Sequence, residues 1–264
     1  MSKYLENPNL PDSKVTKVIV DYRITKEAQN TLNKEGIEVI KTIPHPMLYK
    51  AVDGHPDMQI HHLGGNKFVC DEYVYDYYKK VLDNAKIYKG KAKLFDKYPL
   101  DIAYNAVSVG THFFHNLSFT EKTIYEYYNS LGVKLINVKQ GYSKCSVCIL
   151  SKDAIISSDY PISNLAQKNG LDCLYFDPKD IKLNGLSNGF IGGICGLINR
   201  NTLAINGDIT LLENAQQFID FCNKYNINIL PLNKETPEDI GSIIPIMQIW
   251  TFVQVIEQTN NNLF

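Results

Sequence analysis

The chain has 264 residues, with 27 Lys and Arg against 28 Asp and Glu, and a formal net charge of -1. Apolar residues make up 44% of it, which is enough for a packed core and excludes disorder as the general state. A nearly neutral chain with a pI of about 6.6 has no overall field that attracts nucleic acid or an anionic membrane surface. We therefore expect no nucleic acid and no membrane among its partners.

Compartment signals point to the cytoplasm. The first eight residues lack the apolar core of a secretion signal, and no stretch approaches the roughly 18 uninterrupted apolar residues of a membrane span. The 6 cysteines lack the density of a disulfide scaffold and indicate free thiols in a reducing compartment. Cys145 and Cys148 form a CxxC motif, but it lies in a predicted strand, where positions three apart face opposite sides. We expect a soluble, cytoplasmic protein without a CxxC redox centre.

One pattern recurs five times along the chain: an apolar strand, an Asp or Asn anchor, a helical stretch and a second apolar strand. The anchors are Asp21, Asp71, Asn116, Asp159 and Asp208, at spacings of 50, 45, 43 and 49. Such regular spacing indicates an internal repeat. Because the anchor occurs in every repeat, we expect it to shape turns and helix starts rather than to carry out chemistry.

The repeat unit is larger in modules two to five, where another strand precedes the anchor strand across a tight turn such as Gly64-Gly65. Module one lacks this strand, and the closing tail at 240–256 could supply it by closing a ring. A competing interpretation starts a helix at Thr236-Pro-Glu-Asp239, since Pro245 is awkward in a central strand. The prediction is an α/β fold, a five-bladed ββαβ propeller in one domain over residues 1–264. Its modules lie at about 16–44, 55–90, 101–139, 145–182 and 190–233.

Five ββαβ modules in a closed ring resemble the pentein fold of the guanidino-group-modifying enzymes. This superfamily includes amidinotransferases, arginine and agmatine deiminases, and dimethylarginine dimethylaminohydrolases. The resemblance covers about residues 16–250 as module order and length, and is clearest at 148–162. It implies a central site in which a Cys attacks a guanidinium carbon, a His carries protons, and carboxylates hold the cation.

Only half of the implied site has counterparts in this sequence. The resemblance implies cation-binding carboxylates in modules two and three, and Asp57 and Asp101 stand there. Residues 140–145 contain no His where the family has one, and the tail from Gly241 contains no Cys. Cys195 follows two glycines, as the family nucleophile does, but one blade early. By this resemblance the active site is either rebuilt or lost.

A spacing argument that does not use the family selects four positions near the starts of the inner strands. Asp57, Asp101, Cys145 and Cys195 lie 14, 15, 14 and 13 residues before the anchors of their modules. Equivalent positions in a radial repeat meet near the axis, so two carboxylates and two thiols are predicted to converge on one central pocket. His55, two residues before Asp57, is the best candidate for an acid or base.

Structural interpretations of the same residues remain open. A cysteine is commonly a small buried apolar residue, and Asp57 and Asp101 each follow a proline-containing turn. All 6 histidines lie between His45 and His115, but no pair has metal-ligand spacing on one face, so we expect neither a metal nor another cofactor.

Three hypotheses on function follow. The first is a divergent guanidino-modifying-enzyme-like protein whose acidic pocket binds a small guanidine or amidine cation. The second is a Cys-dependent hydrolase or amidinotransferase acting on a guanidino compound, with Cys195 or Cys145 as nucleophile. The third is a non-catalytic structural pentein. The sequence leaves the oligomeric state open.

Overall fold

The computed structural model describes residues 2–250. Within that range the chain forms five small sheets, one of four strands and four of three strands. The part of the predicted closing tail at 251–256 lies outside the described residues. The five-bladed α/β propeller predicted from the repeat is confirmed.

Each blade has an inner strand, a middle strand antiparallel to it and an outer strand parallel to the middle one. The inner strands, in module order from one to five, are β16 (Ile244–Ile249), β4 (Ile60–Gly64), β7 (Val107–Val109), β10 (Val147–Ser151) and β13 (Cys195–Asn199). The middle strands are β2 (Val15–Val20), β5 (Lys67–Cys70), β8 (His112–His115), β11 (Ala154–Ser157) and β14 (Thr202–Ile205). The outer strands are β3 (Glu38–Lys41), β6 (Lys86–Lys89), β9 (Lys134–Asn137), β12 (Asp172–Tyr175) and β15 (Asn228–Pro231).

A helix joins the middle strand to the outer strand in every blade. These helices are α1 (Lys26–Lys34), α3 (Tyr75–Val81), α4 (Lys122–Ser130), α5 (Tyr160–Lys168) and α6 (Ala215–Lys224). In α1 the side chain of Thr25 caps the first turn, and Ala28 and Leu32, four residues apart, form the buried stripe. Gly36 follows with a φ of 75°, the left-handed conformation that ends a helix at little cost to glycine.

The ring is closed by β16, which pairs antiparallel with β2, so the closing tail supplies the missing strand of module one. The competing helix from Thr236 is not formed. Pro245 is accommodated because the register shifts between Pro245 and Met247. Strand β1 (Ser2–Tyr4), which the repeat did not predict, pairs with the other edge of β16.

The apolar core is divided among the junctions between consecutive blades. Five buried clusters pack modules one with two, two with three, three with four, four with five, and five with one. Inner strands β7, β10, β13 and β16 contact one another in sequence, which places the starts of the inner strands near the axis.

Strand pairing corrects the predicted anchors of modules four and five. Backbone amides of Asp71, Ser158 and Asn206 make the equivalent hydrogen bond to the residue directly before the inner strand of their own blade, at 3.0, 2.9 and 2.8 Å. The repeat therefore aligns Ser158 and Asn206 with Asp71, whereas the predicted anchors are Asp159 and Asp208. Both of those aspartates lie one or two residues later and cap helical turns instead.

This shift changes which positions are equivalent. Asp57 stays 14 residues before Asp71, but Cys145 is 13 before Ser158 and Cys195 is only 11 before Asn206. Cys195 is thus the first residue of β13, where it pairs with Ile205 as Ile60 pairs with Cys70.

All six cysteines are buried free thiols. Within residues 2–250, none of the helices combines the length and the apolar character that crossing a bilayer requires.

Candidate functional site

A cavity of about 210 Å³ opens near the axis between modules two and four and the closing segment. It is lined by Tyr49, Val52, His55, Met58, Tyr142, Cys145, Leu183, Leu186, Ser187, Asn188, Phe190 and Asp239. A wider surface groove of about 760 Å³ lies beside β1, but none of its titratable lining residues is buried. The smaller cavity is the candidate functional site because it brings a buried thiol, imidazole and carboxylate together.

Residues of the site from module two are held by a short helical turn, α2 (Pro56–Gln59), directly before β4. His55 is its N-cap, and Pro56 occupies the first helical position, where its fixed φ suits the turn and no amide is lost. Gly241 packs against this turn with a φ of 67°, and a Cβ there would lie 2.3 Å from the His55 Cβ. Only glycine permits this close approach of the closing segment.

Every module contributes to a hydrogen-bond network around Cys145. The Cys145 Sγ donates to Asp57 Oδ2 at 3.0 Å and accepts from Asn105 Nδ2 at 3.2 Å. Ser242 Oγ lies 2.9 Å from the same Asp57 oxygen and 2.8 Å from the carbonyl oxygen of Gly192, to either of which it can donate. The network therefore ties the five inner-strand starts together and fixes the thiol.

A buried lysine completes the network. Lys144 Nζ donates to Ser242 Oγ at 2.8 Å. Burial raises the pKa of Asp57 to about 6, although the charge of Lys144 and the hydrogen bonds from Cys145 and Ser242 oppose the shift. Burial, followed by the charges of Asp57 and Asp239, raises the pKa of the Cys145 thiol well above its usual value. The sulfur is therefore protonated at neutral pH.

His55 and Asp239 face each other across the same cavity. His55 Nδ1 lies 3.8 Å from Asp239 Oδ1, too far for a hydrogen bond. Among residues 2–250 neither ring nitrogen of His55 has a hydrogen-bond partner, although the side chain is buried. Burial lowers the pKa of His55, against the charge of Asp239, so the imidazole is neutral. An unpaired buried imidazole is available to a ligand.

The Asp239 carboxylate is positioned by backbone amides. Its Oδ1 accepts from Gly241 N at 2.9 Å, and its Oδ2 accepts from Phe190 N at 2.9 Å. Burial raises the pKa of Asp239. A Cβ on Gly193 would lie 1.9 Å from Asp239 Oδ1, so the glycine at this position leaves room for the carboxylate.

Asp101, predicted to hold a cation, lies behind the cavity wall. Its Oδ2 accepts a hydrogen bond of 2.6 Å from Tyr142 Oη, and it is not among the lining residues. Tyr142 Oη lies 3.4 Å from Tyr49 Oη, so Asp101 holds the aromatic wall in place.

Cys195 does not join the other candidates, which corrects the predicted convergence of two thiols. Its Sγ contacts the carbonyl oxygen of Ile191 at 3.3 Å and packs in the apolar cluster between modules four and five, with Cys148 and Cys222. The physical reason is the register described above: as the first residue of β13, Cys195 occupies a core position. The structure brings Cys145, His55 and Asp57 together and leaves Cys195 apart.

These three residues could in principle hold a metal ion. One ligand atom each from His55, Asp57 and Cys145 lies within 4.8 Å of the others. The spacing of histidine pairs in the sequence does not indicate this mixed set. Because Lys144 already places an ammonium group in the same buried network, a divalent cation is electrostatically disfavoured there.

Sequence reasoning missed Asp239, Ser242 and Lys144. Asp57 lies three residues before β4, and Asp239 and Ser242 lie five and two residues before β16, so counting back from the closing strand leads to this segment. No family residue pointed to them, and the competing helix interpretation covered the same segment.

Comparison with known proteins gives both a family and a fold. The profile described as "Family of unknown function (DUF6873)" matches residues 19–244, most of the chain. The chain belongs to this family. No curated protein matches the chain at the sequence level. The DUF6873 match includes Asp57, Cys145 and Asp239 and therefore spans the candidate site.

Solved structures similar to this DUF6873 chain share its fold at low sequence identity. SxtG, an amidinotransferase of the saxitoxin biosynthetic pathway from Microseira wollei, has a TM-score of 0.52 at 12% identity, over 88% of this chain and 92% of its own. Inosamine-phosphate amidinotransferase StrB1 from Streptomyces griseus has a TM-score of 0.54 at 10% identity, over 92% and 96%. A Cys-to-Ser mutant of DDAH from Pseudomonas aeruginosa, complexed with citrulline, has a TM-score of 0.54 at 8% identity, over 84% and 93%. The predicted resemblance to the pentein fold is thereby confirmed.

Proposed function

We propose that this chain binds a small guanidinium or amidinium cation in the cavity beside Cys145, with Asp239 as the carboxylate that holds it. One observation carries the proposal. Asp239 is a buried carboxylate on the cavity wall, and each of its oxygens accepts one backbone hydrogen bond. A carboxylate oxygen can accept two, so one acceptor site on each oxygen is left for a planar cation.

The rest of the cavity suits such a ligand. Tyr49, Tyr142 and Phe190 line it with aromatic rings, which attract cations through their π faces. His55 adds a neutral imidazole nitrogen that can accept a further N–H. Binding a cation between these groups would also remove the electrostatic cost of keeping the Asp239 charge buried.

The solved structures with this fold support the same ligand class by analogy. Two are named amidinotransferases, and the DDAH mutant was solved with citrulline. An analogy of fold alone does not determine chemistry, so the proposal depends on the geometry of Asp239. Asp57 and Asp101, the predicted cation ligands, are assigned supporting roles behind Cys145 and Tyr142.

Titration calorimetry with guanidinium, methylguanidine and benzamidine tests the proposal. Asp239→Asn should weaken binding more than tenfold, since loss of one partner of a buried charge pair costs about 2 to 5 kcal/mol. Asp220→Asn, an exposed carboxylate on α6, is the matched control and should bind as the unchanged protein does. Affinity should also fall towards acidic pH, because protonation of Asp239 removes the counter-ion; this needs no variant. No binding by any cation, or equal binding by Asp239→Asn in a folded state, would contradict the proposal.

A second candidate function is Cys-dependent catalysis at the same site. It is favoured by the joint placement of Cys145 and His55 on the cavity wall, with Asp57 fixing the thiol. A C–S bond would form between Sγ and the guanidinium carbon, and the bond from that carbon to the leaving amine would break. The thiol proton would pass to the neutral His55 and from there to the leaving nitrogen, so charge and atoms balance. Water or an acceptor amine would then release the amidino group.

Thiol reactivity separates catalysis from binding alone. At neutral pH Cys145 should react slowly with iodoacetamide, because its pKa is raised by burial and by Asp57 and Asp239. Guanidinium, small enough to leave the sulfur open, should lower that pKa and speed the reaction. Cys195 is the internal control and should stay unmodified in the folded protein. A Cys145 rate that does not change when guanidinium saturates the site would argue against a catalytic thiol and leave the binding proposal intact.

A further inference from the structure

The residues that line the cavity restrict the uncharged part of the ligand as well as its charged group. We infer that the ligand carries its guanidinium or amidinium group on a short apolar stem without a carboxylate, as in an alkyl- or arylguanidine, and is not a guanidino acid. This inference rests on the proposed function and specifies its substrate class.

The burial of the lining residues distinguishes an inner end of the cavity from its mouth. His55, Cys145 and Asp239 are buried and form its inner end, together with the apolar Val52, Met58 and Leu183. Tyr49, Tyr142, Asn188 and Phe190 are half-buried, and Leu186 and Ser187 are exposed, so these six form its mouth. A cation held by Asp239 at the inner end therefore points its substituent towards rings and aliphatic groups.

No positively charged side chain lines that mouth within the part of the chain that the structure describes. Within residues 2–250 the cavity is lined by neither Lys nor Arg, and its only carboxylate is Asp239. A carboxylate on the ligand would have to leave water and lie between aromatic rings without a partner, which is costly. Ser187 and Asn188 offer only neutral polar groups, suited to a hydroxyl or an amide.

Two cationic side chains lie beside the mouth, and both have other partners. Arg23 and Lys50 line an adjoining depression of about 350 Å³ that shares Tyr49 and Leu186 with the cavity. The Arg23 guanidinium is held by the Asp21 carboxylate and by the carbonyl oxygens of Lys50 and Ala51. Lys50 Nζ lies 3.1 Å from Asp53 Oδ2. Each of these charges already faces a carboxylate, Asp21 for Arg23 and Asp53 for Lys50.

Size limits the stem. The cavity of about 210 Å³ is smaller than the roughly 300 to 1,000 Å³ of pockets that hold drug-sized ligands. A cavity of this size suits the planar head and a short chain. A longer substituent must emerge past Leu186.

The test compares n-butylguanidine with 4-guanidinobutanoate and arginine by titration calorimetry. The first two have stems of the same kind and differ by the terminal carboxylate. Butylguanidine should bind at least tenfold more tightly than either acid, because the acid group would lie desolvated and unpaired. Equal or tighter binding of 4-guanidinobutanoate would overturn the inference and leave the proposed function standing. No binding by any of the three would overturn both.

A variant at the mouth tests the same inference by adding a positive charge there. Leu186→Lys places an ammonium group on an exposed position of the lining, where folding should not suffer. It should tighten 4-guanidinobutanoate binding by about tenfold and leave butylguanidine nearly unchanged or slightly weaker. Leu131→Lys, exposed and outside the lining, is the matched control. If Leu186→Lys and Leu131→Lys have the same effect, the mouth does not select the stem and the inference is wrong.

Discussion

Cys145 and Cys148 are three residues apart, yet their sulfurs lie in opposite environments. Cys145 contacts the polar atoms of Asp57 and Asn105 at the edge of a cavity. Cys148 packs with Cys195 and Cys222 in the apolar cluster between modules four and five. One lies just before β10 and the other within it, so the strand pleat sends them to different sides. Whether a thiol lies near the axis therefore depends on its position relative to the start of the inner strand, not on the residue type.

The two environments also make opposite energetic contributions. The apolar cluster removes sulfur and carbon from water, which stabilises the fold at about 25 cal/mol per Å² of apolar surface. The polar network around Cys145 keeps a carboxylate and an ammonium buried, which stabilises a fold weakly or not at all. Substitutions on the two sides should therefore affect stability in different ways, and three experiments test the contrast.

The largest effect is expected in the apolar cluster. Phe218→Ala removes a fully buried ring that packs at 5.8 Å, edge to face, against Phe176. It should lower the free energy of unfolding by about 3 to 5 kcal/mol, measured by urea denaturation. Phe221→Ala on the same helix is the control; its ring is half-buried, so it should cost less. Equal costs for the two would show that this junction is not tightly packed.

A smaller effect, dependent on pH, is expected on the polar side. Because burial raises the pKa of Asp57 from 3.8 to about 6, the folded protein binds its proton more tightly than the unfolded chain does. The free energy of unfolding due to this group falls as pH rises across that interval and is constant above it. Asp57→Asn should lack this decline.

The stability of Asp57→Asn relative to the unchanged protein should therefore improve by up to about 3 kcal/mol between about pH 4 and about pH 7. Urea denaturation at both pH values measures the difference. A difference that is independent of pH, or that changes with the opposite sign, would mean that Asp57 does not hold its proton in the folded protein.

The smallest effect on stability is expected when serine replaces each of the two thiols. Cys148→Ser places a hydroxyl in an apolar cluster and should cost about 1 to 3 kcal/mol. Cys145→Ser should cost less than about 1 kcal/mol, since its hydroxyl can keep the bonds to Asp57 and Asn105. Thermal denaturation of both variants gives the comparison. Equal losses of stability in the two variants would contradict the difference between the two environments.

The sequence was sufficient for the five-bladed ring because its signals are local and repeated. Turn glycines such as Gly64 and Gly110, apolar strands and capped helices each follow from neighbouring residues, and five copies support one another. Asp57 and Cys145 could be selected by spacing for the same reason.

The remainder of the site depends on contacts that spacing does not encode. A shift of one or two residues in the anchors of modules four and five placed Cys195 near the axis, whereas strand pairing puts it in the core. Asp239 reaches the cavity because Gly193 and Gly241 let three segments approach closely, and no local pattern shows such an approach. The predicted cation-binding and catalytic roles of the site residues stay predictions.

Closure of the ring by β16 constrains the order in which the blades can fold during synthesis. Ile244 pairs with Ile19, 225 residues earlier, and Asp239, Gly241 and Ser242 precede that strand directly. Contacts between positions so far apart form late, because the chain must first bring its distant parts together. During synthesis, blades two to five can be assembled while the ribosome still holds the segment that completes blade one. A nascent chain at that stage has most of its core and no cation site, since the carboxylate that would bind the ligand is still to arrive.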